Sequence, residues 1–197
     1  MRIGVLALQG AVREHLRAME KCGVEAVPIK KAAQMDDICG LIIPGGESTT
    51  VGKLMARYGF MEEITGRAGE GMAVFGTCTG LILLAKKISG RNQPVLGLMH
   101  ITVDRNAFGR QIDSFEADLE VSGLDKPFHA VFIRAPLIEE TGPDVEVLCR
   151  MDGRIVMARE KKFLAAAFHP ELTDDLRIHK MFLEMCGCPS PSPISDN

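Results

Sequence analysis

Cys78 lies at the centre of a Gly-x-Cys-x-Gly pattern, Gly76-Thr-Cys-Thr-Gly80, between two apolar runs. The first run, 72–75, has the length of a strand buried on both faces, and the second, 81–85, predicts a helix. Glycines on both sides suit a sharp strand-to-helix turn, because a Cβ atom there would collide with the neighbouring element. Such a turn presents the thiol near a helix N-terminus, where a thiolate is favoured. We therefore predict that Cys78 is a nucleophile, the alternative being a buried structural cysteine.

A cysteine nucleophile needs a base, and His169 is the best placed of the five histidines. It follows the apolar run 163–168 directly, so it would lie at the same sheet edge as Cys78 if the two strands are parallel. Glu171 comes two residues later. In an extended segment residues i and i+2 point the same way, so this carboxylate can accept a hydrogen bond from the imidazole and fix its tautomer. The three residues predict a Cys–His–Glu triad.

The other four histidines are not predicted to take part in the chemistry. His15 and His179 fall within predicted helices, and we expect both to face solvent. His100 and His129 lie in or beside predicted strands, where a histidine with satisfied hydrogen bonds is the usual finding.

A glycine-rich loop, Pro44-Gly-Gly-Glu-Ser48, follows another apolar run. Such a loop after a parallel strand can direct backbone N–H groups at an anion. It lacks both the dinucleotide-binding glycine spacing and the P-loop lysine, and a phosphate cradle or a plain loop are the alternatives. Together with the N–H of Thr79, the residue after the predicted nucleophile, Gly46 would form an oxyanion hole for acyl transfer.

Strands alternate with helices in the first half of the chain, which predicts a three-layer α/β domain with a mainly parallel central sheet. The predicted strands are 2–8, 25–29, 40–43 and 72–75, and the predicted helices are 12–22, 49–58, 60–68 and 81–87. We expect Ser48 or Thr49 to cap the second helix. Lys86 and Lys87 are expected in the last turn of the fourth, where they would face the negative end of its dipole.

After Gly90 the pattern changes to short strands separated by Gly, Pro, Asn and Asp, which predicts an antiparallel or mixed extension. The candidates are 100–104, 114–121, 128–133, 145–151 and 155–160. Asp152-Gly153 predicts a hairpin turn between the last two. A last helix, capped by Thr173, completes a single domain over residues 1–187, and a Pro/Ser-rich tail over 188–197 is expected to be mobile.

Composition excludes several classes of function. A net charge of −3 without a basic cluster argues against nucleic acid as a partner. Apolar runs fall well short of the roughly 20 residues of a membrane span, so we expect no membrane partner. The six cysteines show neither a disulfide framework nor Cys-x-x-Cys metal spacing, which predicts reduced thiols in the cytoplasm and no metal site.

The motifs also carry a family resemblance that covers nearly the whole chain. Leu41-Ile-Ile-Pro-Gly-Gly-Glu-Ser-Thr-Thr50, Gly76-Thr-Cys-Thr-Gly80 and Phe168-His-Pro-Glu171 resemble the triad-type (class I) glutamine amidotransferases. Val5-Leu-Ala-Leu-Gln-Gly10 and Val103-Asp-Arg-Asn-Ala-Phe-Gly-Arg-Gln111 resemble, more narrowly, the glutaminase subunits of pyridoxal 5′-phosphate synthase. The resemblance implies a flavodoxin-like glutaminase fold and hydrolysis of L-glutamine to glutamate and ammonia.

The resemblance further implies which residues hold the substrate glutamine: Gly46, Glu47, Ser48, Arg105, Ile133 and Arg134. Thr79 stands where the family usually has alanine. The oxyanion donor there is a backbone N–H, so the role survives, although a β-branched residue alters the strain of the turn. Gln9-Gly10 should lie beside Gly45-Gly46, where rotation of a peptide would gate the oxyanion hole.

By resemblance, the ammonia passes to a separate synthase subunit, in a multi-subunit complex, that builds pyridoxal phosphate from a pentose phosphate and a triose phosphate. The glutaminase chain itself would need no metal or cofactor. Three alternatives stay open: a glutaminase that serves another synthase, such as that of histidine biosynthesis; a cysteine peptidase or deglycase-like hydrolase; and an inactive regulatory partner that keeps only the fold.

Overall fold

The computed structural model describes residues 2–90, 92–105 and 114–187. The strands in these ranges are β1 (Arg2–Leu6), β2 (Glu25–Ile29), β3 (Gly40–Ile43), β4 (Ala73–Thr77), β5 (Ala85–Ile88), β6 (Met99–Asp104), β7 (Ser114–Leu119), β8 (Phe128–Ile133), β9 (Leu137–Thr141), β10 (Glu146–Met151), β11 (Arg154–Glu160) and β12 (Phe163–Ala166). The helices are α1 (Val12–Lys21), α2 (Ser48–Arg57), α3 (Phe60–Gly69), α4 (Thr79–Leu84) and α5 (Arg177–Met185). Two 3₁₀ helices span Ala32–Met35 and Pro170–Leu172.

A ten-stranded sheet forms the centre of the molecule, in the order β2-β1-β3-β4-β12-β11-β9-β6-β5, with β10 paired to β11. The first five strands of this order are parallel to one another. Beyond β12 the pairs are antiparallel as far as β6, and β5 pairs with β6 in parallel. Strands β7 and β8 form a separate antiparallel pair. The predicted α/β class, with a parallel half and a mixed extension, is confirmed.

Helices cover both faces of the parallel half, as neighbouring residues of β4 illustrate. The Phe75 ring packs 5.6 Å from Phe182 of α5 and 6.3 Å from the imidazole of His15 in α1, measured between ring centroids. Gly76 points to the opposite face, where its Cα lies against the backbone of α4 at Gly80. Because successive strand residues alternate between faces, α1 and α5 form one outer layer and α4 belongs to the other.

The helix after Cys78 is shorter than predicted, and the expectation for its two lysines is wrong. Helix α4 ends at Leu84, and Lys86 and Lys87 lie in β5, which pairs in parallel with β6. Ala85 and Ile88 are buried while the two lysines between them are exposed. A short apolar run followed by lysines fits both a helix end and an edge strand, and here pairing with β6 decides.

Other differences concern the second half of the chain. Strand β9 was not predicted, because Leu137–Thr141 has only two apolar residues at one end. Asp152 and Gly153 do form the hairpin turn between β10 and β11, with φ of 49° and 77°. Helix α5 starts at Arg177 rather than after Thr173, and the Asp175 carboxylate accepts a 3.0 Å hydrogen bond from the Arg177 N–H.

Two sequence-based expectations lie outside the described residues. The predicted mobile tail, 188–197, is one, so the extent of the domain stays a prediction. Most of the Arg105–Gln111 part of the family motif is the other, although Arg105 itself is described. Among the described helices, none has the length and apolar character needed to cross a membrane.

Candidate active site

Cys78 occupies the sharp turn between β4 and α4 that its flanking glycines predict. Its backbone has φ 50° and ψ −100°, a conformation that L-residues rarely adopt and that stores strain at functional turns. A Cβ atom on Gly76 would lie 2.3 Å from the Gly80 carbonyl carbon, and one on Gly80 would lie 2.1 Å from the Ile43 carbonyl oxygen. The chain can therefore make this turn only with glycine at both positions.

The thiol of Cys78 lies at the edge of the sheet, near the ends of two other strands. The Cys78 N–H donates a 2.8 Å hydrogen bond to the carbonyl of Ala166 at the end of β12. Its Sγ lies 3.8 Å from the carbonyl oxygen of Ile133, the last residue of β8. Only 8% of the residue is exposed. These contacts fix both the backbone and the side chain of the predicted nucleophile.

His169 reaches the same edge because β12 runs parallel to β4, with Ala166 opposite Thr77. Its N–H donates a 2.8 Å hydrogen bond to the carbonyl of Val131 in β8. Its Nδ1 lies 2.8 Å from Oε1 of Glu171, whose carboxylate is fully buried. The sequence suggested an extended segment here, but the structure has a different conformation. Glu171 belongs to a 3₁₀ turn that begins at Pro170, and this turn brings the carboxylate to the ring.

The electrostatics of His169 reflect its two neighbours. Burial lowers the pKa of the imidazole, but Cys78 and the Glu171 carboxylate outweigh burial and raise this pKa to about 10. His169 is therefore an imidazolium at neutral pH, hydrogen-bonded to Glu171 through Nδ1. Its Nε2 makes no hydrogen bond to any described residue and so can serve a bound molecule.

The glycine-rich loop after β3 lies directly against the triad. A Cβ atom on Gly45 would lie 2.6 Å from Cε1 of the His169 ring, so only glycine allows this approach. The carbonyl of Gly46 accepts a 2.5 Å hydrogen bond from the Thr79 hydroxyl, and the N–H of Glu47 donates one of 3.0 Å to Oε1 of Gln9. The peptide between Gly46 and Glu47 is thus held at both ends, by α4 and by the loop after β1.

Gly10 lies beside this loop, with its Cα packed against the Gly45 carbonyl oxygen so closely that a Cβ atom would overlap it at 1.6 Å. Gly10 also has a φ of 99°, which favours glycine. The structure therefore places Gln9 and Gly10 in contact with the predicted oxyanion loop. Their gating role stays a prediction.

A pocket of about 590 Å³ opens over the thiol. It is lined by Gln9, Gly10, Gly46, Glu47, Ser48, Cys78, Thr79, Ile82, Arg105, Ile133, Arg134 and His169. Every site residue predicted from the sequence lines it except Glu171, which lies behind His169. Among the described residues, no group of three or more His, Cys, Asp and Glu side chains is arranged to hold a metal ion.

Glu47 caps helix α2, which corrects the expectation of Ser48 or Thr49. Its carboxylate accepts hydrogen bonds from the backbone N–H groups of Thr49 (3.0 Å) and Thr50 (2.7 Å). The interaction with Thr50 and the further bonds with Thr49 outweigh desolvation and lower the pKa of Glu47 to about 2. Because Glu47 stays ionised and half exposed, it presents a negative charge to the pocket.

Positive charge lies directly beside Glu47 in the pocket. Nη2 of Arg105 lies 3.2 Å from the Glu47 carboxylate, and Nη1 donates to the side chains of Thr49 (3.1 Å) and Gln93 (2.8 Å). Arg134 also lines the pocket, and its φ of 45° makes it a second strained residue at this edge. A pocket lined by both charges suits a ligand that is a zwitterion.

Two of the predicted site residues, Ser48 and Ile133, line the pocket with uncharged side chains. Ser48 is buried, and its hydroxyl makes no hydrogen bond to any described residue. Ile133 is 40% exposed, unusually so for a large apolar side chain at a strand end. A buried hydroxyl without a protein partner and an exposed apolar side chain are both features that a bound ligand would satisfy.

The sequence analysis missed several residues of this site. Ile82, which lines the pocket, lies in an apolar run typical of the core. Gln93, which accepts a hydrogen bond from Arg105, lies in a segment without regular structure. His15 and His179, expected to face solvent, are both fully buried, which contradicts that expectation. His15 lies three residues after Val12 and four before Met19, so its position on the apolar helix face was a signal available in the sequence.

Comparison with known proteins finds relatives that match nearly the whole chain. The chain is 58% identical over 185 residues to "Pyridoxal 5′-phosphate synthase subunit PdxT" of Bacillus velezensis, covering 94% of each protein. It is 60% identical to the protein of the same name from Niallia circulans, covering 94% of this chain and 97% of that one. A solved structure described as a glutamine amidotransferase superimposes with a TM-score of 0.90 at 52% identity, over 94% of this chain and 98% of that chain.

A family model matches residues 5–188, a range that holds the Cys78 turn, the glycine-rich loop and the His-Pro-Glu segment. The fold, the arrangement of these three motifs around one pocket and the close relatives all agree. On these grounds the chain belongs to the SNO glutamine amidotransferase family.

Proposed function

We propose that this chain hydrolyses the side-chain amide of L-glutamine to glutamate and ammonia. The observation that carries the proposal is the meeting of Cys78 and His169 in one pocket, with His169 bonded at 2.8 Å to a buried Glu171. Membership of a glutamine amidotransferase family supports the choice of substrate. So does a pocket lined by Glu47 and two arginines, because a free amino acid carries both an ammonium and a carboxylate.

The first half of the reaction forms a thioester. The Cys78 thiolate attacks the amide carbon of glutamine, and the carbonyl oxygen becomes an oxyanion that the N–H groups of Gly46 and Thr79 stabilise. His169 holds a proton on Nε2 and gives it to the departing nitrogen, so that ammonia leaves as the C–N bond breaks. The products of this half are ammonia, a γ-glutamyl thioester on Cys78 and a neutral His169.

The second half returns the enzyme to its starting state. Neutral His169 takes a proton from a water molecule, and the hydroxide formed attacks the thioester carbonyl. The second oxyanion occupies the same hole, the C–S bond breaks, and glutamate leaves. Cys78 is again a thiolate, and His169 is again an imidazolium, the form that its raised pKa favours. Glu171 holds the ring through Nδ1 in both halves.

The ammonia, we propose, passes to a separate synthase subunit that builds pyridoxal 5′-phosphate. The names of the relatives support this step, since each is called a subunit of that synthase. Their 58% and 60% identity favours this partner over a synthase of another pathway, such as histidine biosynthesis. The assembly would work in the cytoplasm, where the described cysteines, which are free, would stay reduced.

Docking of that subunit would gate the reaction. Gln9 and Gly10 contact the loop that carries the Gly46 N–H, and glycine tolerates rotation of its peptides at little conformational cost. A partner that contacts the loop after β1 could therefore select the state in which the oxyanion hole is complete.

The remaining alternatives differ from this proposal in what they predict for Cys78. A peptidase or deglycase-like hydrolase would act on peptides or glycated substrates and leave glutamine intact. An inactive regulatory partner would not react selectively at this cysteine. A strained nucleophile turn and an ionised histidine are costly features that a protein keeping only the fold has no need to retain.

The test compares the wild type with Cys78→Ala in the presence of the synthase subunit. Ammonia and glutamate are measured from glutamine, and labelling by a glutamine-like electrophile is mapped by peptide mass spectrometry. We expect the variant to lose at least about 10³-fold in kcat, since no second cysteine lines the described pocket. Cys149→Ala, which removes a buried thiol outside the pocket, is the matched control and should keep full turnover.

Cys78→Ala must also stay folded and bind the synthase subunit, which co-purification tests. Glutamine hydrolysis retained by this variant would refute the nucleophile. Wild-type protein that is inactive on glutamine with the partner present, but labels non-selectively, would favour the regulatory alternative.

A further inference from the structure

A chain of buried polar side chains continues from the triad into the core between α1 and α5. Nε2 of His15 forms a 3.2 Å hydrogen bond with the hydroxyl of Thr77. It also lies 3.4 Å from Oε2 of Glu171, a contact without hydrogen-bond geometry, and this oxygen makes no hydrogen bond to any described residue. Its Nδ1 lies 3.1 Å from Nε2 of His179. Both histidines are fully buried. His15 thus contacts the side of Glu171 that faces away from His169.

The protonation of His15 follows from its neighbours. A lone pair on Nε2 of His15 would be repelled by the nearby Glu171 carboxylate, so Nε2 carries the proton and donates it to the Thr77 hydroxyl, with the positive edge of the ring towards Oε2 of Glu171. Nδ1 of the neutral ring is then an acceptor and takes a hydrogen bond from the Nε2–H of His179. The opposite assignment would set a lone pair against the carboxylate and leave a buried N–H donor on His179 unpaired, which costs more than an unpaired acceptor.

The charge state of the two histidines fits this assignment. Burial lowers the pKa of His15 and lowers that of His179 to about 3, so both are neutral at pH 7. The charged and titratable groups that face His15 are Glu171, His169, His179 and Glu14. Because His15 is neutral, the negative charge of Glu171 stays available to the His169 imidazolium.

We propose that His15 is a positioning residue of the triad: the positive Nε2–H edge of its ring lies 3.4 Å from Oε2 of Glu171 and attracts it electrostatically, so that Oε1 stays directed at His169, while His179 fixes the tautomer of His15. The proposal rests on the proposed glutaminase function. A carboxylate that is bound through only one oxygen can rotate about its terminal torsion, which is soft. With His15 on the other oxygen, the carboxylate keeps one orientation through both halves of the reaction.

The first test compares two substitutions of His15. Glutamine places an amide N–H near the position of Nε2, whereas leucine fills the site without any donor. We expect His15→Leu to lower kcat about 10- to 100-fold with KM little changed, the size of effect typical of groups that orient a catalytic residue. His15→Gln should recover most of the loss. Equal losses in the two variants would mean that His15 only fills space, and would overturn the proposal.

A double-mutant cycle separates positioning from folding. If His15 acts through Glu171, His15→Leu should cost much less in the Glu171→Gln background than in the wild type, because the oriented carboxylate is already gone. If the fold-decrease in kcat of the double variant equalled the product of the two single decreases, the proposal would be overturned. Thermal unfolding of all four proteins, followed by circular dichroism, identifies any variant that has lost its fold and so is excluded from the cycle.

A readout without glutamine keeps this inference separate from the proposed function. Alkylation of Cys78 by iodoacetamide at pH 7, followed on its own peptide by mass spectrometry, reports the thiolate that the His169 imidazolium stabilises. We expect alkylation to slow several-fold in His15→Leu and to match the wild type in His15→Gln. Unchanged alkylation in folded His15→Leu protein refutes the positioning role. A wild type inactive on glutamine that still shows this pattern would overturn the substrate alone.

Discussion

The hydroxyl of Thr79 donates a 2.5 Å hydrogen bond to the carbonyl of Gly46, so a side chain next to the proposed nucleophile holds the loop that we propose completes the oxyanion hole. The family resemblance led us to expect alanine at this position, which could not make the bond. The other end of the same peptide is held by Gln9. This chain therefore has a contact between α4 and the glycine-rich loop that an alanine at position 79 would remove.

Removing this hydroxyl should lower kcat in the chain without its partner. A hydrogen bond makes a net contribution of about 0.5–1.5 kcal/mol. We therefore expect Thr79→Val, which keeps the β-branched shape, to lower kcat about two- to tenfold. Thr79→Ser keeps the hydroxyl and should stay within about twofold of the wild type. Steady-state kinetics on glutamine check this. Identical rates for the valine and serine variants would mean that the bond does not organise the loop.

Glu171→Gln should shift the pH profile of the reaction as well as its rate. The carboxylate is one of the two groups that raise the pKa of His169 to about 10, so its neutral replacement should lower that pKa. The proton that His169 gives to ammonia is then lost at lower pH, and the alkaline limb of kcat/KM should move down in pH. We expect kcat itself to fall about 10- to 100-fold.

The matched control is Glu160→Gln, a second buried glutamate that pairs with a histidine, His100, at 2.7 Å and lies outside the pocket. It should leave the alkaline limb in place. If Glu171→Gln had the wild-type profile, another group would have to orient His169.

The triad could be predicted because each of its members follows a feature visible in the sequence. Gly76 and Gly80 predict the turn at Cys78, and two apolar runs that end at Cys78 and His169 predict that these residues meet at one sheet edge. The 3₁₀ turn at Glu171 could not be predicted, because His-Pro-Glu fits an extended segment equally well. The structure differs only in how the carboxylate reaches the ring.

The helical spacing of His15 with Val12 and Met19 could have indicated its burial, but its pairing with His179 could not be predicted. Histidine occurs both in cores and on surfaces, so its own type gives no direction. The pairing of these two residues depends on α1 and α5 lying side by side, although they are 164 residues apart in the chain. A contact of that kind is a property of the layer arrangement, as is the pairing of the unpredicted strand β9 with β6 and β11.

The buried histidines should make the protein less stable at mildly acidic pH. The pKa of His179 is lowered to about 3 by burial, with a further decrease from His15 that Glu171 opposes, whereas in the unfolded chain it has its ordinary value of 6.5. Below pH 6.5 the unfolded state therefore binds a proton that the folded state does not, and the free energy of unfolding falls as pH falls. The slope is about 1.4 kcal/mol per pH unit from this group.

Urea unfolding at pH 6.5 and pH 5 checks the slope, since both values lie above the ordinary pKa of Glu171. His179→Leu should make the free energy of unfolding depend less on pH. The control is His129→Leu, which removes an exposed histidine and should leave the pH dependence that His179 causes unchanged. The raised pKa of His169 changes the free energy of unfolding with pH in the opposite sense. Its raised pKa contributes stability below pH 6.5 that is lost as pH rises toward about 10. A variant His179→Leu with the wild-type slope would refute the assignment of a neutral buried histidine.

Gln9 should transmit the effect of the synthase subunit to the oxyanion hole. Its Oε1 accepts the Glu47 N–H at 3.0 Å, so it connects the loop after β1 to the loop that carries Gly46. We expect weak glutamine hydrolysis by the chain alone and an increase of at least about tenfold in kcat with the cognate subunit, because docking selects the complete oxyanion hole. Gln9→Ala should lose most of this stimulation.

The matched control is Gln34→Ala. Gln34 also accepts backbone N–H groups through its side-chain oxygen, from Lys30 at 2.8 Å and Lys31 at 2.9 Å, but it does not line the pocket. Its replacement should leave stimulation intact, and co-purification with the synthase subunit must be equal for both variants so that a loss reflects transmission rather than docking. If Gln9→Ala were stimulated like the wild type, the signal would have to travel by another route. Turnover by the wild type that is the same with and without the partner would refute the gate itself, while the assignments of Cys78, His169 and Glu171 would stand, because their geometry does not depend on it.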